Sequence, residues 1–253
     1  MKDSTDSSSL RESEQIAWEI FQGIWADLSS KLSEKKVSLP RQIVFLNGAP
    51  GAGKGTNTLA VMRELEIPTK PIEVSALLNT PECERLKSQG LLVPDDIVIE
   101  QTLKELFKPE NRRGVIIDGY PRTIVQAYFL KFFINKVQES EYTNKTAFRL
   151  INFSVSRETS ISRQLSRGRA ALEHNKISKE KLVVRKTDLS REAAERRYDI
   201  YESSISRCIA LLRDDLEYYE IRAEGTFDEV RKRIHEVLDA KNEERIGPSS
   251  LHD

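Results

Sequence analysis

The chain has 253 residues, its 40 Lys and Arg are balanced by 40 Asp and Glu, and 38% of it is hydrophobic. That length suits one large domain, or a core carrying small inserted subdomains, and can bury a core without metal or disulfide staples. Net neutrality excludes a surface coated in basic charge, the usual footprint of a nucleic-acid binder, while permitting a local basic pocket. Cys83 and Cys208 are far apart and form no CxxC pair, and His174, His235 and His252 are isolated, so neither a disulfide framework nor a Cys/His zinc site is expected. The N-terminus is polar and acidic, unlike a signal peptide, and no stretch reaches the roughly 18 apolar residues of a membrane span. A soluble, cytoplasmic protein is the expectation.

In chain order, residues 1–8 are Ser/Asp-rich and read as disordered. Ser9-x-x-Glu12 forms a capping box ahead of a periodic helix that runs to about Lys36. Trp18, Phe21, Trp25, Leu28 and Leu32 make one apolar stripe, which Ile16, Ile20 and Ile24 widen. The reading is a helix packed on the body of its own chain, with self-association through the same face as the alternative to a monomer. After Pro40 the pattern changes to short apolar strands at 43–46, 115–118, 148–155 and 218–222. Helical patterns lie from about Thr56 and at 96–108, 123–138, 189–214 and 226–240, with a polar tail from Lys241. Strands alternating with helices predict an α/β fold, a parallel sheet flanked by helices.

The first strand is closed by Gly48-Ala49-Pro50-Gly51-Ala52-Gly53-Lys54-Gly55-Thr56, which opens a helix. In that context GxxxxGK is a strong signal. Glycines let backbone N–H groups close around phosphate oxygens, and the helix N-terminus adds partial positive charge. Lys54 would bridge the outer phosphates and neutralise charge as a terminal phosphoryl group moves. Gly55, not Ser or Thr, follows the lysine, which makes direct magnesium ligation by a hydroxyl less certain.

GAPGAGKGT resembles the phosphate loop of adenylate kinases and related nucleoside monophosphate kinases. A second block, Gly114 to Thr123 with Gln126 beyond it, is similar to the family's strand ending in Asp-Gly-aromatic-Pro-Arg-Thr. A weaker third block runs from Gly90 to Val98 and includes Val93. The resemblance covers about 41–240 and implies the P-loop nucleotide-kinase fold, with an acceptor-binding segment at 71–98, a lid at 168–186 and residues 1–40 as an extension with an extra helix. It implies transfer of the terminal phosphoryl group of ATP-Mg to a nucleoside monophosphate, AMP first among them, giving two ADP.

Roles follow from the same resemblance. Gly48 to Thr56 and Arg163 would hold ATP, and Asp118 would hold Mg2+ through water. Arg122 would clamp the acceptor phosphate with a bidentate fork, and Gln126 would read the acceptor base. Between 157 and 197, twelve Lys and Arg stand against six Asp and Glu. Within that run Arg163-x-x-x-Arg167, Arg185-x-x-Asp188 and Arg196 are similar to the family's lid-hinge arginines, with Arg167, Arg185 and Arg196 around the phosphates in flight. The lid holds no cysteine, so the zinc of some relatives is not expected.

The acceptor segment departs from the pattern. Where adenylate kinases carry Ser-Thr-Gly-Asp-hydrophobic-Leu-Arg, this chain reads Glu73-Val74-Ser75-Ala76-Leu77-Leu78-Asn79. Val74, Asn79 and Val93 remain the acceptor-segment candidates, and Lys70 or Arg122 would carry the missing charge. Two alternatives therefore stand beside the leading reading: a P-loop kinase for another small-molecule acceptor, and a weakly catalytic nucleotide-binding protein.

Overall fold

The structure is a computed structural model in which residues 3–34, 37–88, 93–140 and 146–245 are described. Its Cα framework divides into two compact units. The first comprises Met1–Asn47, Ile67–Leu150 and Ser204–Tyr218, and the second Gly48–Glu66, Ile151–Ser203 and Tyr219–Asp253.

Five strands form one parallel sheet: β1 (Gln42–Gly48), β2 (Ile72–Glu73), β3 (Val115–Asp118), β4 (Ala147–Ser154) and β5 (Glu217–Arg222), in the order β2-β3-β1-β4-β5. Ile43, Val44, Phe45 and Leu46 of β1 pair with Val115, Ile116, Ile117 and Asp118 of β3. Up to Asp118 both runs are apolar and buried, as a strand covered on both faces must be. The register carries Asp118 to the end of its strand, opposite Leu46, where the apolar run stops and a carboxylate is tolerated. β2 was not anticipated, because two residues carry no periodicity.

The first unit also holds α1 (Asp3–Ser33), α5 (Asp95–Leu106), α6 (Ile124–Glu139) and α9 (Ser206–Leu212), with the short α3 (Val74–Leu77) and α4 (Pro81–Ser88). α1 packs along α6. Its stripe meets three phenylalanines: Trp18 stands edge-on to Phe132 at 5.1 Å, Phe21 to Phe129 at 6.0 Å and Trp25 to Phe133 at 6.4 Å. The offset geometry suits the ring quadrupoles, so the aromatic spacing read in the sequence becomes a seam. Ala17, Phe21, Leu28 and Leu32 are buried in it. The packing of α1 on its own chain is thus observed.

α1 starts at Asp3, earlier than the capping box implied and through residues expected to be disordered. Once a long helix has nucleated, each added residue gains a hydrogen bond at little further cost, so the helix runs on through the serines. Ser9 accordingly lies inside the helix, its carbonyl accepting from the Ser13 hydroxyl at 2.9 Å. The expected C-terminal end at Lys36 lies outside the described residues.

In the second unit are α2 (Lys54–Glu64), α7 (Arg157–Ile177), α8 (Arg191–Ile200) and α10 (Phe227–Arg245). α2 packs on α10, and α7 on α8. The helical pattern expected over 189–214 is observed over 191–212, as α8, a π turn at Tyr201–Ile205 and α9 without a gap. The Ser203 hydroxyl donates to Asp199 O at 2.7 Å, a back-bond that competes with the helical ladder, and Tyr198 and Tyr201 are buried at the entry to the π turn. α7 continues to Ile177, so the first ten residues of the expected lid, 168–177, extend a helix and 178–185 form the loop proper. Most of the polar tail lies outside the described residues, although α10 reaches Arg245.

Cys83 and Cys208 are free and buried. Burial pushes the Cys208 thiol up to about 12, which leaves it protonated and unreactive at neutral pH. No described helix is long and apolar enough to cross a membrane.

Truncating the central seam residue tests the packing of α1. Phe21→Ala is expected to lower the unfolding free energy by about 3–5 kcal/mol and to red-shift the emission of Trp18 and Trp25, as read by urea titration with fluorescence.

Candidate active site

The phosphate-loop candidates lie within the second unit. At the end of β1 the chain must turn sharply against β4. Gly48 has φ +149, and a Cβ there would sit 2.5 Å from Phe153 O. Only glycine allows this approach, and the Ala49 N–H then donates to Phe153 O at 3.2 Å. The loop re-enters a helix at Lys54, preceded by Gly53 in a left-handed conformation. The first-turn amides of α2 have no intrahelical acceptor, so the loop's interior presents donors and the positive end of a dipole. Lys54 Nζ donates to Gly48 O at 2.8 Å and Ala49 O at 3.4 Å, which places the ammonium across the mouth of the same loop. Gly55 and Thr56 are exposed on the first turn.

α7 holds the loop from one side. Its N-cap is Ser156, whose hydroxyl accepts from Thr159 N. One turn on, the Ser160 hydroxyl donates to Pro50 O at 2.6 Å. Arg163, on the same helical face, donates to Ala223 O at 2.9 Å and Gly51 O at 3.5 Å. Between the loop, Arg163 and residues 223–227 lies a cavity of about 280 Å³, lined also by Thr56, Asn57, Arg167 and Val230. Its far wall is a turn that the sequence reading did not single out. Thr226 and Glu229 cap α10 reciprocally, the Thr226 N–H donating to Glu229 Oε2 at 2.7 Å. That Thr-x-x-Glu box was the available signal.

Arg167 is not a free cation. Its Nε and Nη2 donate to Asp188 Oδ2 and Oδ1 at 2.7 and 2.9 Å, and Arg197 Nη1 reaches Oδ1 at 3.3 Å. Asp188 is only 2% exposed, so its charge is compensated by two guanidinium groups. The pair fixes Arg167 in direction. Arg185, before the 3₁₀ turn Lys186–Asp188, and Arg196, on α8, are exposed, and neither guanidinium makes a hydrogen bond among the described residues. Elsewhere in the basic run, Arg157 pairs with Asp199, and Arg191 with both Glu158 and Glu195.

The acceptor candidates lie within the first unit. Asp118 is half-buried at the end of β3. Arg122 is exposed, and its guanidinium lies against Gly119, where a Cβ would come within 2.5 Å of Nη2 at φ +85. Gln126 is 3% exposed and serves as the last member of a capping box. Thr123 caps α6, its hydroxyl accepting from Gln126 N at 3.1 Å, while Gln126 Oε1 accepts from Arg122 N at 2.8 Å. Gln126 Nε2 donates to Asp95 Oδ1 at 2.8 Å. The sequence reading gave Gln126 a base-reading role and did not see Thr123-x-x-Gln126 as a cap, nor Asp95 as its partner. Val74 and Val93 are buried in the core, while Asn79 and Lys70 are exposed. Gly90 to Leu92 of the third block lie outside the described residues. No group of three or more His, Cys, Asp or Glu that could hold a metal occurs among the described residues.

A buried strand, a glycine loop against its neighbour, a lysine across the loop and a helix beginning there define a P-loop nucleotide-binding fold. No family model matches the chain. It is, however, 31% identical to the adenylate kinase of Chlamydia caviae over 208 residues, 75% of this chain and 94% of that protein. It is also 31% identical to that of Caldanaerobacter subterraneus subsp. tengcongensis over 216 residues, with 77% and 95% covered. The adenylate kinase of Parabacteroides distasonis is 27% identical over 202 residues. The chain belongs to the adenylate kinase family. It is a phosphotransferase of the nucleoside monophosphate kinase type.

The turn walling the cavity carries a pH dependence. Glu224 accepts from Ser156 N at 2.9 Å and pairs with Arg222, which lowers its carboxyl from 4.5 to about 2. A depressed carboxylate contributes stability above its unfolded pKa and loses it as pH falls through the folded one. The protection factors of the amides at Ser156 and along 222–226, taken against the intrinsic exchange rate at each pH, are therefore expected to be unchanged from pH 7 to 5 and to fall as pH drops from 4.5 toward 2, with Glu224→Gln abolishing the step.

Proposed function

We propose that the chain transfers the terminal phosphoryl group of ATP-Mg to AMP, producing two ADP. The observation that carries this reading is the cavity of about 280 Å³ beside the phosphate loop, walled by Arg163 and the 223–227 turn. It has the size and position for the donor nucleoside, with its phosphates running into the loop. Lys54 would lie along the outer phosphates. Bound Mg2+ would supply positive charge to offset that of the phosphates. Asp118, a half-buried carboxylate at a strand end, suits such an ion through water.

On the acceptor side Arg122 is the exposed guanidinium suited to the monophosphate, and Gln126 is the group for the base. Val74, Asn79 and Val93 line the altered segment; there the acceptor is held with less charge than the family motif supplies. Arg185 and Arg196, exposed and unspent, stabilise the phosphoryl group in transfer, while Asp188 keeps Arg167 aimed. Nothing in this chemistry needs a protein nucleophile, because phosphoryl transfer is driven by alignment and charge neutralisation.

Coupled assays over AMP, CMP, UMP and GMP test the reading. AMP is expected to be the best acceptor, and Lys54→Met, Arg185→Ala and Arg196→Ala each to lower kcat on the order of a thousandfold with the fold intact by circular dichroism. Absence of turnover with all four, in well-folded protein, rejects it. One observation favours a second reading: Gln126 is already engaged by Arg122 N and Asp95. A nucleotide-binding protein with weak turnover would bind ATP in a Lys54-dependent manner and give no AMP-dependent signal in calorimetry.

A further inference from the structure

We propose that Asp95 is a positioning residue that sets which base edge the acceptor site accepts, by fixing the amide of Gln126 in one orientation. The inference rests on the reading of Gln126 as the acceptor-base residue and deepens it. Asp95 opens α5, and its Oδ1 accepts two hydrogen bonds, from Thr123 Oγ1 at 2.8 Å and from Gln126 Nε2 at 2.8 Å. On the other side of the same amide, Gln126 Oε1 accepts from the Arg122 backbone N–H at 2.8 Å.

An amide can be turned over in a pocket whose neighbours are hydroxyls or water, because those groups donate and accept alike. Here neither neighbour can reverse its role. An ionised carboxylate only accepts and a backbone N–H only donates. Turning Gln126 over would set oxygen against carboxylate and NH₂ against N–H, losing two hydrogen bonds in a residue that is 3% exposed. The amide is therefore held with nitrogen toward Asp95 and oxygen toward Arg122.

What remains is one N–H and one oxygen lone pair in a fixed order. A base whose glycosidic bond is also held must match that order. Adenine presents an acceptor at N1 beside a donor at N6, and hypoxanthine presents the reverse, a donor at N1 beside an acceptor at O6. A locked amide discriminates between them, whereas one free to turn serves both. Selectivity for a 6-amino over a 6-oxo purine thus belongs to Asp95 as well as to Gln126, although only Gln126 would meet the base.

A competition assay reads this directly. AMP and IMP are supplied together with ATP, and the ratio of ADP to IDP formed from the acceptors is measured, a quantity that does not depend on how much of the protein is folded. The wild type is expected to favour AMP. Asp95→Ala removes the oxygen that accepts both hydrogen bonds and should lower the ratio by roughly ten- to a hundredfold, with the KM for ATP unchanged. Asp95→Asn keeps the size but can present either oxygen or NH₂, which leaves only the Arg122 N–H to hold the amide, and should give a ratio between those of the wild type and Asp95→Ala. Should alanine leave too little folded protein, Asp95→Leu fills the same space without an acceptor and should behave as alanine does. A ratio unchanged in Asp95→Ala or Asp95→Leu overturns the proposal and leaves the kinase reading standing. A wild-type protein that phosphorylates neither nucleotide overturns the kinase reading and this proposal with it.

Discussion

The donor half depends on one close approach between backbones. Because Gly48 carries no Cβ, the end of β1 can lie against Phe153 of β4, and the Ala49 amide is drawn onto the Phe153 carbonyl. That contact decides where the loop starts. Three residues downstream on the same strand and turn, Ser156 caps α7, and α7 then presents Ser160 to Pro50 and Arg163 to Gly51. Strand, loop and helix are therefore positioned by one steric allowance and a few hydrogen bonds. A larger residue at Gly48 would displace the loop from the helix that frames its cavity.

Electrostatics then divide the cations into those that shape the site and those left for a ligand. Asp188 is buried and commits Arg167, with help from Arg197. Arg163 is committed to backbone carbonyls around the cavity. Arg157 and Arg191 are paired on the surface, where each pair contributes little. Arg169, Arg185 and Arg196 are the exposed guanidiniums of this run with no hydrogen bond among the described residues. The formally neutral chain thus holds a local excess of positive charge, part of which is spent on its own architecture.

The strands β1, β3, β4 and β5 were legible because each is an apolar or alternating run bounded by turn residues, and GAPGAGKGT was legible because its spacing carries a mechanism. The helical run over 189–214 was legible, but not the π turn inside it, which no proline or glycine marks and which coincides with the Ser203 back-bond. The start of α1 was missed for a related reason, as local composition suggested disorder where helix propagation won. Gln126 shows a different limit. Its motif suggested a base-reading role, yet the same Thr-x-x-Gln spacing is a helix cap, and only coordinates reveal Asp95, 31 residues earlier, on its amide. Asp188 likewise looks in sequence like one acid among many arginines, and its commitment to two of them is a tertiary fact.

Of the acceptor-segment candidates, Val74 and Val93 are in the core and Asn79 is exposed. The donor half rests on the loop's shape, which makes that shape the central claim. Calorimetric titration of ATP-Mg into the wild type and Gly48→Ala, with circular dichroism to confirm that both are folded, examines it most directly. The account predicts saturable binding to the wild type and an affinity at least about tenfold weaker in the variant, a loss near 1.4 kcal/mol or more. Equal affinities in two folded proteins would contradict it.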